Sequence, residues 1–345
     1  MQQRDEDVAA QGLTPGRMLT SLLRDVSRSF YLTLRVLPGR IRPQIGLAYL
    51  LARTTDTIAD TDLVPLDQRL GALQSLRERI QGRRQDRLDF GDLARRQGTP
   101  AERVLLEQAE TSVALLQTLS PADQALVRAV LETITGGQEL DLRRFAGASA
   151  ERIVASAQDA ELDDYTYRVA GCVGEFWTKM CRAHLFPKAP LDDAALLADG
   201  VRFGKGLQLV NILRDLPSDL RQGRCYLPGP ALAAAGLAPA ALLDPANESR
   251  LRAVFNPWLD RASAHLAAGW SYTNRLPRGC VRVRLACAWP LLIGRETIAL
   301  LRAGNVLDPQ RRIKVTRPQV KRILWRSVLY YPFPKLWTRL FPAAT

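Results

Sequence analysis

Apolar residues recur along most of this chain at steps of three and four, the period at which side chains share one face of an α-helix. Alternation at every second position, the mark of a half-buried strand, is weak throughout, so the pattern predicts an all-α protein. A first helix is predicted from about Pro15 into SRSFYLTLRVL, ending near Pro38-Gly39, and Pro43 opens a second. The second is apolar at Ile45, Leu47, Ala48, Leu50 and Leu51 and carries its polar residues at the far end, in RTTDTIAD. Further helices are predicted over about Leu66 to Gln81, Glu102 to Leu119 and Pro121 to Ile134, with Gly136-Gly137 expected to interrupt the last. The charged run GRRQDRLDFGDLARRQGTP reads as a surface loop or short helix. Asp163 to Leu185 reads as one long helix, and two more, about Glu248 to Leu276 and Val281 to Ala303, complete a bundle.

Two polar columns interrupt the apolar pattern. In GKGLQLVNILRDLPSDLRQGRCYLP, Gln208, Asn211, Asp215 and Asp219 fall on one helical face, a column about 16 Å long at roughly 1.5 Å per residue. Its neighbours Leu207, Leu209, Val210, Ile212 and Leu213 are apolar, and carboxylates in such surroundings need a partner. A hard dication suits, since Mg²⁺ is held by one or two carboxylates together with phosphate oxygens. Arg53, Asp56 and Asp60 repeat the three-then-four spacing upstream. A lone acidic pair is usually a solvated face. Here each pair has an arginine beside it (Arg53, Arg214), and a guanidinium offers a bidentate fork to phosphate. Pro217, between Asp215 and Asp219, is expected to bend the helix there.

The stretches YLLARTTDTIAD, LQLVNILRDLPSD with the RCYLP that follows, SRSF at Ser27 to Phe30, and DDYTYRVAGCVG at Asp163 to Gly174 together resemble the squalene/phytoene synthases, the head-to-head trans-prenyl transferases. The likeness spans about residues 20 to 300. It implies a single-domain helical bundle of the isoprenoid synthase type with a central apolar cavity, in which the two aspartate helices face each other. It implies that Ser27, Arg28 and Ser29 contact phosphate and Phe30 the prenyl chain. It further implies that Tyr49 is a catalytic-site tyrosine and that Tyr165, rather than Tyr167, lies near the reacting carbons. Arg53 is assigned with the two tyrosines as catalytic; Gln208, Arg214 and Arg224 are assigned to substrate; and Asn211 joins Asp56, Asp60, Asp215 and Asp219 around Mg²⁺. The segment GGQELDLRRF resembles one that lines the prenyl tunnel in related enzymes, a helix C-cap being the alternative for its glycines. The VAG-VG stretch is implied to form part of the cavity, although small residues also permit close helix packing. One departure stands out: many squalene synthases carry a glutamate before the last aspartate of the first motif, where this chain has Ala59.

Composition narrows the function classes. There is no run of 18 apolar residues to span a membrane. The N-terminus MQQRDEDVAAQG is acidic and polar, unlike a signal peptide, and residues 1–15 are expected to be flexible. Five scattered cysteines suit a reducing cytoplasm, and two histidines make a zinc site or a Ser-His triad unsuitable readings. The net charge of +13 is concentrated at the end: from Arg311 onward there are nine Lys or Arg and no Asp or Glu. Nothing in the body resembles a nucleic-acid-binding pattern. The division expected is therefore a catalytic helical domain over 16–310 and a basic amphipathic tail over 311–345 that lies on an anionic membrane surface. In the tail, Val320, Ile323, Leu324, Val328 and Tyr331 oppose Lys321, Arg322 and Arg326. Trp325, Tyr330, Phe333, Trp337 and Phe341 add interfacial aromatics. A helix docked on the body is the alternative.

From the resemblance, the expected activity is squalene synthesis: Mg²⁺-dependent condensation of two farnesyl diphosphates through presqualene diphosphate, then reduction by NADPH. The chain has no GxGxxG followed by a Rossmann pattern, and the family binds NADPH without one. Dehydrosqualene or phytoene, formed without reductant, and presqualene diphosphate as end product are the enzymatic alternatives. A helical scaffold and a membrane adaptor are the non-enzymatic ones. Oligomeric state is left open, a monomer included.

Overall fold

Leu50, Leu51 and Ile58 are fully buried along one side of the helix Arg42–Asp60. Around apolar stripes of this kind the chain folds in the computed structural model, whose described residues are 23, 30–61, 64–97 and 99–342. Two compact units result: residues up to 35 together with 39–132, and residues 36–38 together with 133–345. The expected flexible segment 1–15 and the expected phosphate contacts Ser27, Arg28 and Ser29 lie outside the described residues.

The described part of the first unit contains α1 (Phe30–Val36), α2 (Arg42–Asp60), α3 (Leu66–Gln81), α4 (Gly91–Arg95), α5 (Pro100–Glu107), α6 (Ala109–Leu116) and the first half of α7 (Pro121–Arg144). α2 packs on α3, α5 and α6 through Leu47, Leu51, Leu73, Leu76, Leu105 and Val113. Two expectations are corrected here. The helix predicted over 102–119 is two helices, broken where Gln108 leaves helical geometry at φ −97°, ψ 9°. Gly136-Gly137 does not interrupt α7, which continues to Arg144. Close approach explains Gly137, since a Cβ there would lie 2.7 Å from the Cβ of Arg168.

The second unit adds β1 (Val154–Ser156), α8 (Asp159–Thr166), a π-helical turn (Tyr167–Gly171), α9 (Cys172–His184), α10 (Asp193–Arg221) and β2 (Arg224–Pro228). It continues with α11 (Gly229–Ala234), α12 (Glu248–Arg275), α13 (Val281–Ala303), α14 (Arg317–Tyr330) and α15 (Pro334–Thr338). Its core lies where α10 runs along α12, with Leu209, Leu213 and Leu216 packed among Phe255, Leu259 and Leu266. The two strands, which alternation did not reveal, pair in parallel with Val154 opposite Arg224. The single helix expected over Asp163 to Leu185 is divided by the π turn. Pro217 leaves α10 continuous to Arg221.

The small residues of the VAG-VG stretch serve packing between α10 and the helix of α8 and α9. A Cβ on Gly174 would sit 1.8 Å from the Gly200 carbonyl oxygen, and one on Gly204 would sit 2.0 Å from that of Ala170. Only glycine lets these backbones approach so closely.

The tail is docked on the second unit by one face and exposed on the other. The Trp337 ring, 3% exposed, stacks on Trp270 at 5.2 Å, and Phe341 stacks on the same indole at 5.5 Å. Trp337 Nε1 donates to Asn274 Oδ1 (2.7 Å), Trp289 Nε1 donates to Ser327 Oγ (2.9 Å), and the Tyr331 hydroxyl donates to the Arg278 carbonyl (2.6 Å). Trp337, Phe341 and Tyr331, expected on an interfacial face, are therefore spent on the body, because stacking and buried hydrogen bonds hold them there. Trp325 (76% exposed), Leu329 (62%), Phe333 (54%) and Val328 (50%) face outward. Among the described residues, no helix is long and apolar enough to cross a membrane.

Candidate active site

In the first unit, Tyr49, Arg53, Asp56 and Asp60 follow one another down α2 at helical spacing, opposite the buried stripe of Leu50, Leu51, Thr54 and Ile58. Thr54 keeps its hydroxyl within the helix by donating to the Leu50 carbonyl. Asp56 is half-buried and Asp60 exposed. The Arg53 guanidinium donates to Glu102 Oε1 on α5 at 2.8 Å. Its charge is thus engaged by a carboxylate that spacing along α2 could not reveal. Ala59 is buried at 7% exposure and its carbonyl accepts from Arg69 Nη1, so a carboxylate at this position would be directed into packed surroundings. Phe30 opens α1.

In the second unit, α10 carries Gln208, Asn211, Asp215 and Asp219 on one continuous helix, with Gln208 half-buried and Asn211 exposed. Both Asp215 oxygens are engaged by Arg214, whose Nε and Nη2 donate at 3.0 and 2.5 Å. Arg312 approaches Asp215 Oδ1 to 3.7 Å. These groups line a cavity of about 370 Å³, closed on its other side by residues 305–313, among them Arg311. Beyond α10, Gly223 turns the chain at φ +79°, a left-handed conformation that favours glycine, and delivers Arg224 and Tyr226 on β2.

Tyr226 forms a cluster that sequence reading passed over. Its hydroxyl donates to Asp141 Oδ2 (3.0 Å), and its ring stacks on Tyr165 at 5.0 Å with the two hydroxyls 3.5 Å apart. Phe145 meets it edge-on. Burial holds the Tyr226 phenol well above its ordinary value; Asp141 and Asp219 reinforce this, while the Tyr165 hydroxyl and Arg224 oppose it. The same electrostatic neighbourhood therefore contains Asp219, Arg224, Tyr226, Asp141 and Tyr165. Tyr167 instead reaches Glu175, at 3.4 Å. The π turn begins two residues after Tyr165, and such turns are frequent at functional sites. Asp141 lies in GGQELDLRRF, and the signal that could have found it is a carboxylate at helical spacing from the apolar Val127, Val130 and Ile134 of α7.

Among the described residues, no three His, Cys, Asp or Glu side chains gather as a ready-made metal cage. Mg²⁺ does not require one, because it is bound through one or two carboxylates with substrate phosphates and water completing its shell. The donor chemistry of Asp56 with Asp60, and of Asp215 and Asp219 with Asn211, fits that ion.

A family model described as squalene/phytoene synthase matches residues 23–319. The presqualene diphosphate synthase of Rhodopseudomonas palustris is 31% identical over 303 residues, covering 86% of this chain and 91% of that protein. The bifunctional lycopene cyclase/phytoene synthase of Gibberella fujikuroi is 30% identical over 309 residues, covering 86% of this chain and 50% of that protein. Among solved structures, a complex of TcSQS with a ligand superposes with a TM-score of 0.77 at 22% identity, covering 95% of this chain and 91% of that one.

Proposed function

The chain belongs to the squalene/phytoene synthase family, whose members join prenyl diphosphates head to head, and on that premise we propose that it condenses two farnesyl diphosphates to presqualene diphosphate in the presence of Mg²⁺. The observation that carries this reading is the neighbourhood of Asp219, Arg224, Tyr226, Tyr165 and Asp141. It sets the charges of Asp219 and Arg224 beside a stacked pair of phenols, which supports a role in binding diphosphate. The likeness to a presqualene diphosphate synthase over nine-tenths of that protein supports the choice of product.

Within the second unit Asp215, Asp219 and Asn211 would hold Mg²⁺, and Asp56 and Asp60 offer the same donor chemistry within the first. When bound, the ion supplies positive charge to the departing diphosphate. Arg224, and Arg214 once drawn from Asp215, offer guanidinium forks to the same oxygens. The allylic C–O bond of one substrate breaks, and the double bond of the second attacks the resulting carbon. Loss of a proton then closes the cyclopropane, while the second diphosphate is retained. Tyr165 stands to take that proton and pass it through Tyr226 to Asp141, the carboxylate at the end of the hydroxyl chain. The buried rings of Phe145 and Tyr226 help keep water from the cation. The basic tail would place this chemistry at a membrane, where the long prenyl chains of the product belong.

A second reading, squalene formation with NADPH, has the wording of the DDYTYRVAGCVG region in its favour. Incubation with farnesyl diphosphate and Mg²⁺, with and without NADPH, followed by extraction separates the two. Presqualene diphosphate in both tubes is the expected result. Squalene only with NADPH would transfer the protein to the second reading, and a hydrocarbon without reductant to the dehydrosqualene or phytoene branch. No diphosphate release from farnesyl or geranylgeranyl diphosphate would overturn the catalytic proposal altogether.

A further inference from the structure

Where α13, α14 and α15 meet, a cavity of about 180 Å³ opens that has no part in the site above. A single water needs only about 10–15 Å³ by that measure, so a larger polar group fits. Arg295 of α13, Arg322 and Arg326 of α14, and Arg339 just past α15 line it, and Glu296 is its one carboxylate, which leaves positive charge in excess. Arg295 is held in place: Nη1 donates to the Leu340 carbonyl at 3.4 Å, and the guanidinium lies 5.5 Å from the centre of the Phe341 ring. Leu292, Ile323 and Leu340 supply apolar walls.

The apolar outer face of α14 adjoins this cavity. Trp325 follows Arg322 by three residues and Leu329 follows Arg326 by three, so each exposed apolar side chain neighbours an arginine of the pocket on the helix surface. Exposed Trp and Leu beside clustered arginines, on a helix with no acidic residue, match the two layers of an anionic bilayer surface. Resting on the membrane-placement part of the proposed function, we propose that this cavity binds the phosphate of an anionic phospholipid headgroup while Trp325, Leu329 and Phe333 enter the acyl boundary. A guanidinium cluster suits phosphate because each fork pairs with two oxygens. A headgroup seated there fixes the depth and orientation of the second unit at the membrane.

Co-sedimentation of the full chain with phosphatidylcholine vesicles, with and without phosphatidylglycerol, tests this. Wild type is expected to bind the anionic vesicles, and Trp325→Ser with Leu329→Ser to lose binding. Arg295→Gln with Arg339→Gln should weaken binding at least about tenfold more than the equally charged control Arg317→Gln with Lys321→Gln, because seated guanidinium–phosphate bonds exceed diffuse attraction. Equal losses in the two arginine-depleted proteins would overturn the pocket and leave only diffuse charge. Stabilisation by free inorganic phosphate that depends on Arg295 and Arg339, with no vesicle binding, would overturn the lipid source. Absence of both would overturn the site. Condensation activity of every variant, assayed in detergent, reports folding and keeps a failure here distinct from a failure of the catalytic reading.

Discussion

The two aspartate motifs share a spacing and differ in what engages them. On α2 the arginine is taken: Arg53 pairs with Glu102 from α5. On α10 the arginine stays within the motif: Arg214 holds its neighbour Asp215, which Arg312 also approaches from the segment after α13. A metal arriving at the second motif must compete with guanidinium groups for Asp215. Arg214 and Arg312 would then stand near such an ion and offer their guanidinium forks to phosphate. At the first motif Arg53 is held by a carboxylate from another helix, Glu102 of α5. The same Asp-x-x-x-Asp spacing thus comes with two different arginine pairings, Arg53 with a carboxylate from another helix and Arg214 with the motif's own Asp215.

The largest effect should come from removing a carboxylate. Asp56→Asn and Asp215→Asn are each expected to lower kcat by about 10²–10³-fold, the scale for losing one preorganised electrostatic contact. Mn²⁺ binding followed by paramagnetic resonance should weaken in both. If Asp215→Asn left activity intact, the α10 motif would be a structural ion pair. Next comes Gly174→Ala, whose methyl would meet the Gly200 carbonyl and force α9 from α10; about 3 kcal/mol should be lost in denaturant unfolding. That substitution perturbs the unit of the second motif alone. Tyr226→Phe removes the hydrogen bond to buried Asp141 and should cost about 1–3 kcal/mol. It should lower turnover as well; turnover at the wild-type level would remove the phenol pair from the chemistry.

A pH series sharpens the contrast further. His265 packs against α10, and burial, with Lys205 and Arg202 nearby, lowers its pKa from 6.5 to about 4. The depressed value means the folded state favours neutral imidazole. This contribution is complete above pH 6.5 and is lost as pH falls from there toward 4, by about 1–2 kcal/mol for a half-buried group. His265→Gln should flatten unfolding free energy across that window. The smallest change is Glu102→Gln, which releases Arg53. Since the pair is only partly buried, KM should shift within about fivefold. A fall in KM would mean that Glu102 holds Arg53 back from phosphate; an unchanged KM would leave the arginine structural.

The helical class, the α3 bounds and both aspartate columns were legible in the sequence because each rests on a local period. Leu66–Gln81 ends where Gly82 adopts φ +76°, a stop signal carried by one residue. Choosing Tyr165 over Tyr167 rested on resemblance; what the fold adds is that Tyr165 stacks on Tyr226, a partner no local pattern announces. Gly137 and Gly174 looked like an interruption and a cavity wall. Both are points of close contact, Gly137 against the Arg168 side chain and Gly174, as the packing alternative held, against the Gly200 backbone, and only the fold names those neighbours. The tail was amphipathic in sequence, but which aromatics would turn inward depended on Trp270 and Asn274, more than fifty residues away.

The sequence by itself determined the all-α class, the two carboxylate columns, the basic tail and the family likeness, because these follow from the identity and spacing of neighbouring residues. Tertiary structure alone decided that Arg53 belongs to Glu102, that Asp215 is shared between Arg214 and Arg312, and that Asp141, Tyr226 and Tyr165 form one chain. It also decided which face of the tail is covered. The physical reason is range: helical period is written within a few residues, whereas charge pairing and aromatic stacking act through space between segments that the chain brings together only on folding.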